Sequence, residues 1–296
     1  MQFIYKIIYN PFINYILRNI NFLFKNSTKL KIPPSGIIKI KLKTKKIKLA
    51  TNQTSYLTQL IFWKGHKSFE YSELFETLSK RIDYFFDIGS NIGYYSIIGV
   101  ASNPKMKVFA FEPALGPKFY LNKNIILNKF SNNIKTCDFA LSNKKGVIDF
   151  YEVENLKYRY LKHNLAGEGN AGTKKTSRNF IIRQVKTTTL DEFTAKNSIK
   201  KIDLIKIDTE GTEIDILKKG IHSIKLFEPI IICETLYNKI ESELETFFKS
   251  LDYKFYNHTK YGLNEVTTIK RAHDNGIRNC FFVPNSKINL IKEFLV

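Results

Sequence analysis

The chain has 296 residues, enough to bury a full core, and a domain of about 220 residues with an appendage is the natural division. Its three cysteines, Cys137, Cys233 and Cys280, lie in separate apolar runs without metal-ligand spacing, which excludes a disulfide framework or a zinc site and favours a reducing, cytoplasmic setting. The formal net charge is +20 at pH 7, so the protein is strongly basic.

The basic residues are concentrated in the first part of the chain. Residues 1–69 contain 13 Lys and Arg and no Asp or Glu, whereas the remainder contains 34 basic and 27 acidic residues. This asymmetry indicates an anionic neighbour for the first part, such as a membrane surface, a phosphorylated substrate or nucleic acid. A general bias of the composition toward Lys, Asn and Ile is the alternative explanation.

Residues 1–69 begin with an amphipathic helical pattern. Apolar side chains recur at helical spacing at Phe3, Ile4, Ile7, Ile8, Ile13, Ile16, Leu17, Ile20 and Phe24. Polar residues step every four positions along the other side, at Lys6, Asn10, Asn14 and Arg18. Pro11 is expected to bend this helix or split it in two. The polar stripe excludes a membrane span, and two interpretations stay open: the helix lies on an anionic membrane surface, or it packs against the rest of the protein.

A lysine-rich strand follows the break at residues 33–36. Ile38, Ile40 and Leu42 alternate with lysines, which predicts a half-buried strand of a small accessory sheet. We therefore expect a basic N-terminal extension over residues 1–69, with an amphipathic helix and this strand, and a larger domain over residues 70–296.

The larger domain starts with a short buried strand, residues 84–88, that runs into a glycine turn and a helix. This order is typical of a nucleotide cradle, because the start of the helix offers free N–H groups and a positive dipole. NAD and a Walker-type phosphate loop are disfavoured, because the glycines and the Gly-Lys-Ser/Thr sequence they require are missing. The spacing Asp-x-Gly-x-x-x-Gly instead resembles motif I of S-adenosylmethionine-dependent methyltransferases, with Asn91 as a residue that tolerates a left-handed backbone. The predicted cofactor-binding residues of this turn are Asp87, Gly89, Ser90, Asn91 and Gly93.

The next strand ends in an acid at the separation that such a cradle needs. Glu112 lies 25 residues beyond Asp87, and a carboxylate there can accept hydrogen bonds from both ribose hydroxyls. Asp138 lies near the end of the third predicted strand, residues 134–141, where its side chain is predicted to bind the adenine amino group. A strand-to-helix turn without any ligand is the alternative for the whole motif.

The fourth predicted strand, residues 202–207, ends in the charged cluster of Lys206, Asp208 and Glu210, and the fifth, residues 229–233, ends in a further acid, Glu234. We predict that Asp208 orients or deprotonates the acceptor hydroxyl, with Lys206 and Glu210 in support. The acids that end these strands should converge on one rim, since ligands of doubly wound sheets bind at the carboxyl ends of the strands. Two alternatives stay open: Asp208 and Glu210 cap the following helix, or Asp208 and Glu234 hold Mg²⁺.

The segment 155–179 shows no periodicity, and we interpret it as a mobile lid over the acceptor site, with plain disorder as the alternative. His163, within this segment, is the histidine that fits a catalytic base. His222 precedes the fifth strand, on the opposite rim, and is expected to be structural.

Five motifs occur in a characteristic order: FDIGSNIGYYS (residues 86–96), FEP (111–113), ALS (140–142), TLD (189–191) and DLIKIDTEG (203–211). Over residues 70–257 they resemble the signatures of the FkbM family of methyltransferases, with Ser90 where the family usually has alanine. The resemblance implies an α/β fold of the Rossmann-like class I type, with a seven-stranded sheet and helices on both faces. It also implies S-adenosylmethionine as methyl donor and O-methylation of hydroxyls, often on sugars.

The sequence thus predicts an O-methyltransferase with a small-molecule or glycan acceptor, and a sugar of a glycan or surface polysaccharide is the favoured one. We expect it in the cytoplasm, with peripheral contact to the inner face of the membrane. Nucleic-acid methylation is an alternative that the net charge invites, but enzymes that stack a flipped base usually carry Asn/Asp-Pro-Pro-Tyr/Phe where this chain has Ile-Asp-Thr-Glu. A membrane-associated scaffold without catalysis is the other alternative, and the presence of both Asp87 and Glu112 argues against it.

Overall fold

The computed structural model describes residues 1–26, 29–43, 45–165, 179–209 and 211–296. In chain order its strands are β1 (Gly36–Lys41), β2 (Lys46–Thr51), β3 (Tyr84–Ile88), β4 (Lys107–Phe111), β5 (Ile134–Cys137), β6 (Ala140–Leu141), β7 (Gly146–Val153), β8 (Phe180–Thr188), β9 (Leu204–Ile207), β10 (Ile230–Glu234), β11 (Tyr253–Thr259), β12 (Gly262–Val266) and β13 (Asn279–Pro284). Its α-helices are α1 (Gln2–Ile8), α2 (Pro11–Leu23), α3 (Tyr56–Lys64), α4 (Ser72–Leu78), α5 (Tyr94–Ser102), α6 (Leu115–Asn128), α7 (Leu190–Lys196), α8 (Glu213–Lys218), α9 (Ile221–Phe227), α10 (Glu241–Lys249) and α11 (Ile288–Ile291).

A central sheet of eight strands has the order β12-β11-β13-β10-β9-β3-β4-β5. Strands β10, β9, β3, β4 and β5 are parallel, and β13 runs antiparallel between β10 and β11. The predicted α/β sheet is therefore confirmed, but the predicted count of seven strands is wrong by one. The additional strand is β12, because the chain turns back after β11 and pairs with it antiparallel at the edge of the sheet.

Consecutive residues of the central strands pack on opposite faces of this sheet, as strand geometry requires. In β3, Phe85 joins one core and Phe86 the other, and both side chains are fully buried. Helices α4, α5, α6 and α11 contribute to the first core, and α7, α8, α9 and α10 to the second. All three cysteines are buried free thiols in the second core, as predicted. Since both faces are covered, the central strands are continuous apolar runs.

A separate three-stranded sheet, in the order β6-β8-β7, contributes one wall of the cavity described below. Strands β7 and β8 pair antiparallel along their length, and β6 pairs parallel with β8. The predicted third strand, residues 134–141, is therefore divided between two sheets, with β5 in the central sheet and β6 in the small one. No strand is predicted for β8, because apolar and polar residues do not alternate regularly along it.

The predicted lysine-rich strand is confirmed as β1, which forms an antiparallel hairpin with β2. Its apolar residues Ile38 and Ile40, 2% and 5% exposed, belong to the first core of the larger domain. Asn124 and Asn128 of α6 accept hydrogen bonds from backbone N–H groups of β2 at 2.6 and 2.9 Å. These amides cover the open edge of the hairpin, so the N-terminal extension is built onto the larger domain.

Pro11 splits the predicted N-terminal helix into α1 and α2, one of the two outcomes expected for it. The side chain of Asn10 caps α2 by accepting the N–H groups of Phe12 and Ile13. Among the residues that the structure describes, no helix is long and apolar enough to cross a membrane.

Candidate active site

A cavity of about 840 Å³ opens at the carboxyl ends of β3, β4 and β9. Its lining includes residues 88–91 of the glycine turn, residues 111–113 after β4, and residues 206, 208 and 209 at the end of β9. The β7–β8 hairpin and residues from 154 to 164 contribute the other walls. The volume is typical of a small-molecule site, which generally measures about 300–1,000 Å³.

The glycine turn is held tightly between the neighbouring strands. The backbone N–H groups of Gly89 and Ser90 both donate to the carbonyl oxygen of Phe111, at 3.1 and 3.0 Å. Gly89 has φ +73°, and a Cβ atom there would lie 1.9 Å from the carbonyl oxygen of Asp208. Glycine is thus required at position 89 by the close approach of the backbone after β9, a reason that the sequence pattern does not show.

The predicted left-handed backbone of Asn91 is confirmed, with φ +51°. Gly93, with φ +80°, precedes α5 and lies against Leu121 of α6. Together these conformations fold residues 89–93 into a compact loop between β3 and the start of α5.

Glu112 lies at the end of β4, as predicted, and connects it to the glycine turn. One carboxylate oxygen accepts the N–H of Asn91 at 2.7 Å, and the other accepts the N–H of Ala114 at 2.9 Å. The side chain lines the cavity and is 7% exposed. Burial raises the pKa of Glu112 to about 7, although the two backbone hydrogen bonds act in the opposite direction.

Asp87 lies beneath the turn, is 1% exposed and does not line the cavity. One of its oxygens accepts hydrogen bonds from the Ser96 hydroxyl at 2.6 Å and from the Ser96 N–H at 3.2 Å. Its Oδ1 atom has no hydrogen-bond partner among the described residues. Burial raises the pKa of Asp87, while the nearby Lys206 ammonium lowers it.

Lys206 and Asp208 form an ion pair at the cavity, with Nζ 3.1 Å from Oδ2. The Lys206 side chain is 8% exposed and the Asp208 side chain 39% exposed, so the carboxylate is the more accessible partner. Burial disfavours the Lys206 ammonium, but the carboxylates of Asp208, Asp87 and Glu70 outweigh this effect and hold the pKa of Lys206 above its ordinary value. A buried cation with three acidic neighbours thus lines the cavity at the end of β9.

The alternative in which Asp208 caps the following helix finds no support in the structure. The buried carboxylate of Glu213, the first residue of α8, binds the loop before the helix, where it accepts the N–H of Thr209 at 2.7 Å and the N–H of Gly211 at 3.0 Å. The Asp208 side chain bonds to Lys206 instead. Glu210, predicted as a supporting residue, lies outside the described residues.

Besides Asp87, two more of the predicted acids do not line the cavity. The Asp138 side chain is 74% exposed and lies 3.6 Å from the ammonium of Lys118, so its predicted contact with adenine finds no support in this geometry. Glu234 ends β10 as expected, but it is not among the residues that line the cavity, so the predicted rim gathers fewer acids than expected. The described residues contain no group of three or more His, Cys, Asp or Glu side chains arranged to hold a metal ion.

His163 lines the cavity and stacks on the ring of Phe119, with centroids 4.1 Å apart. Burial lowers its pKa, which favours the neutral imidazole that a base requires. His222 lies outside the cavity, where its backbone N–H donates to Asp191 at 3.1 Å. Of the predicted lid, residues 166–178 lie outside the part of the chain that the structure describes.

Sequence reasoning did not single out Glu70, which lines the cavity beside the Lys206–Asp208 pair. Its carboxylate accepts the hydroxyl of Tyr95 at 2.7 Å, and its own backbone is left-handed, with φ +43°. Glu70 follows no strand and belongs to no motif, so a strand-end pattern cannot find it. Glu70 lies before α4, 14 residues ahead of the start of β3, so the sequence offers no signal for it.

A family model described as the methyltransferase FkbM domain matches residues 87–255, from Asp87 in β3 into β11. The 31-O-demethyl-FK506 methyltransferase FkbM of Streptomyces tacrolimicus is 28% identical over 153 residues, 46% of this chain and 58% of that protein. The hexuronic acid methyltransferase AglP of Haloferax volcanii is 26% identical over 150 residues, 51% of this chain and 55% of that protein.

The methyltransferase sdnD of Sordaria araneosa is 24% identical over 153 residues, 46% of this chain and 59% of that protein. The chain thus spans less than two thirds of the length of each of these three relatives. A crystal structure of methyltransferase FkbM from Methylobacillus flagellatus KT superposes with a TM-score of 0.44 at 14% identity, covering 68% of this chain and 43% of that chain.

Proposed function

We propose that the chain, which belongs to the FkbM family of methyltransferases, transfers a methyl group from S-adenosylmethionine to a sugar hydroxyl. The observation that carries the proposal is the convergence of three features on one cavity. These are the glycine turn after β3, the carboxylate of Glu112 at the end of β4, and the Lys206–Asp208 pair at the end of β9.

The donor half of the site follows from the residues around the turn. Glu112 uses the lone pairs that the Asn91 and Ala114 amides leave unoccupied to accept the two ribose hydroxyls. Gly89, Ser90 and Asn91 line the methionyl part of the donor. Asp87, buried beneath them, supplies negative charge that favours the cationic donor. The donor itself supplies the electrophilic methyl group on its sulfonium.

The acceptor half of the site is organised by Asp208. Its Oδ2 atom is fixed by Lys206, while its Oδ1 atom makes no hydrogen bond to the described residues, which suits it to orient and deprotonate a hydroxyl. Lys206 keeps the Asp208 carboxylate in place, and the protein must align the acceptor oxygen with the methyl carbon and the sulfur.

A sugar is the acceptor class that the lining favours. Besides Asp208, the carboxylates of Glu70, Asp149 and Asp215 line the cavity, and ionised carboxylates accept hydrogen bonds from hydroxyl groups. The name of AglP assigns hexuronic acid to one relative, which supports a sugar acceptor here.

Isothermal titration calorimetry with S-adenosylhomocysteine tests the donor site. We expect binding by the wild-type protein and a loss of at least about tenfold in affinity for Glu112→Ala, since two hydrogen bonds to a charged group are removed. Glu154→Ala, which removes an acid of the cavity wall directly after β7, is the matched control. Absence of binding by the wild-type protein would refute the proposal.

Methyl transfer is measured from labelled S-adenosylmethionine into the glycan fraction of cells that make the protein. Asp208→Asn should lower incorporation by about 10²-fold or more, because a general base is lost, while the affinity for S-adenosylhomocysteine is retained. Asp138→Asn, which changes an acid that is 74% exposed and lies outside the cavity, is the control. Mild alkali releases methyl esters but not methyl ethers, so label that survives it identifies a hydroxyl acceptor. Undiminished transfer by Asp208→Asn contradicts the assigned role.

A further inference from the structure

Helix α2 packs on the protein through its polar side, the reverse of an ordinary surface helix. Asn14 and Arg18 are 0% and 2% exposed. The Arg18 guanidinium donates to the carbonyl oxygens of Ser35 and Ile37, at 2.9 and 2.6 Å. Asn14 accepts the N–H of Ser35 at 2.7 Å. The polar stripe is thus hydrogen-bonded to the backbone before and within β1, so the apolar side of the helix faces away from the protein.

The outward side of α1 and α2, here called the apolar face, consists of large side chains that are 43% to 80% exposed: Phe3, Phe12, Tyr15, Ile16, Ile20 and Leu23. Within α2 these residues follow helical spacing, so they form one continuous stripe. A contiguous apolar stripe of this kind on a protein surface marks a site of interaction.

The charge of the segment that carries the apolar face has one sign. Residues 1–69 contain 13 basic residues and no acid, and the exposed Lys25 follows the end of α2. On the exposed face of the β1–β2 hairpin, lysines stand opposite lysines at Lys39–Lys48 and Lys41–Lys46. Like charges placed opposite one another repel, and an anionic neighbour relieves that repulsion.

We propose that the apolar face docks on the surface of an anionic lipid bilayer. Apolar side chains of an interfacial helix enter the boundary between headgroups and acyl chains, while surrounding lysines are attracted to anionic headgroups. A second copy of the chain is a poorer occupant, because it brings together two basic surfaces of the same sign.

The helices that carry the apolar face contact the wall of the cavity. Gln2 donates to the carbonyl oxygen of Leu156 at 3.2 Å. The rings of Tyr5 and Tyr9 pack on Tyr158, with centroids 5.3 and 5.6 Å apart, and Tyr158 lines the cavity. A docked bilayer therefore lies beside this wall. On the basis of the proposed function, the acceptor class that fits this placement is a sugar carried on a membrane lipid.

Docking is tested with the full chain by co-sedimentation with vesicles of phosphatidylcholine, with and without phosphatidylglycerol. Ile20→Gln/Leu23→Gln removes two residues of the apolar face, 51% and 80% exposed. Ile126→Gln/Leu226→Gln, at 69% and 74% exposure elsewhere on the surface, is the matched control. The fluorescence of Trp63, the single tryptophan, reports whether α2 stays in place, because its ring stacks on Phe22 of α2 at 5.9 Å.

We expect the wild-type protein to bind the anionic vesicles, with an affinity that falls as salt is added. The Ile20→Gln/Leu23→Gln variant should bind at least about tenfold more weakly, since two apolar side chains no longer leave water, and the control should match the wild type. Three results would overturn the proposal: no binding to anionic vesicles, an equal loss in the control, or a wild-type dimer that this variant alone abolishes.

The acceptor class is tested separately, by extracting labelled membranes with chloroform and methanol after methyl transfer. Label in the organic phase supports a lipid-carried sugar. Label in the aqueous phase alone overturns this acceptor class and leaves methyl transfer standing, whereas no label in either phase overturns the proposed function.

Discussion

The pH dependence of donor binding should follow the ionisation of Glu112. Burial raises the pKa of this carboxyl to about 7 in the free protein. Only the ionised form offers acceptor lone pairs on both oxygens, because protonation places a hydrogen on one of them. Since the pKa is raised, the fraction of the protein with an ionised Glu112 increases as the pH rises through 7. The affinity for S-adenosylhomocysteine should therefore also increase with rising pH.

The magnitude follows from the position of the pKa. A group with a pKa of about 7 is about nine-tenths ionised at pH 8 and about one-tenth ionised at pH 6. The affinity should therefore fall about tenfold between pH 8 and pH 6, which corresponds to about 1.4 kcal/mol, and it should level off above pH 8.

Isothermal titration calorimetry at pH 6, 7 and 8 and constant ionic strength measures this dependence. Glu112→Gln has a similar shape but cannot ionise, so it should bind more weakly at pH 8 and show no such slope. An affinity of the wild-type protein that is flat or falls with rising pH would refute the reasoning. So would a slope that persists unchanged in Glu112→Gln, because another group would then be responsible.

Two further predictions concern stability, measured by urea denaturation. Gly89→Ala should lower the free energy of unfolding by about 2–5 kcal/mol. The added methyl group would lie 1.9 Å from the Asp208 carbonyl oxygen, and the alanine would have to keep a left-handed backbone. Gly276→Ala shares the positive φ but has nothing within 4 Å, so it should cost only about 1–2 kcal/mol, and equal losses would contradict the clash. Arg18→Met should cost about 2–4 kcal/mol, since it leaves buried carbonyl groups without a donor. Lys6→Met, at an exposed position of α1, should be near neutral, and a similarly small effect of Arg18→Met would contradict the anchoring role.

The proposed donor site could be predicted from the sequence because its residues lie close together along the chain. A buried strand, a glycine turn and a helix are adjacent in the chain, and Glu112 follows at a fixed distance along the next strand. Parallel strands then bring their ends to one edge of the sheet, so the order of these residues along the chain is enough to predict that they meet.

Several site residues depended on contacts that chain order does not contain. Glu70 acts on the Lys206 ammonium through its charge from an irregular segment, and Glu213, the first residue of α8, binds the loop that follows Asp208. Asp138 follows the end of a central strand but lies outside the cavity, because the chain leaves the central sheet after Cys137 and joins the small one.

The amino-acid sequence by itself determined that α1 and α2 have a polar and an apolar side, because the helical period and the residue types are properties of the chain. It could not determine which side faces the protein. That was decided by the backbone around Ser35, whose carbonyl and amide groups need partners when they are buried, and Arg18 and Asn14 supply them. Satisfying buried hydrogen-bonding groups outweighed the burial of the apolar stripe, and the stripe remains outside.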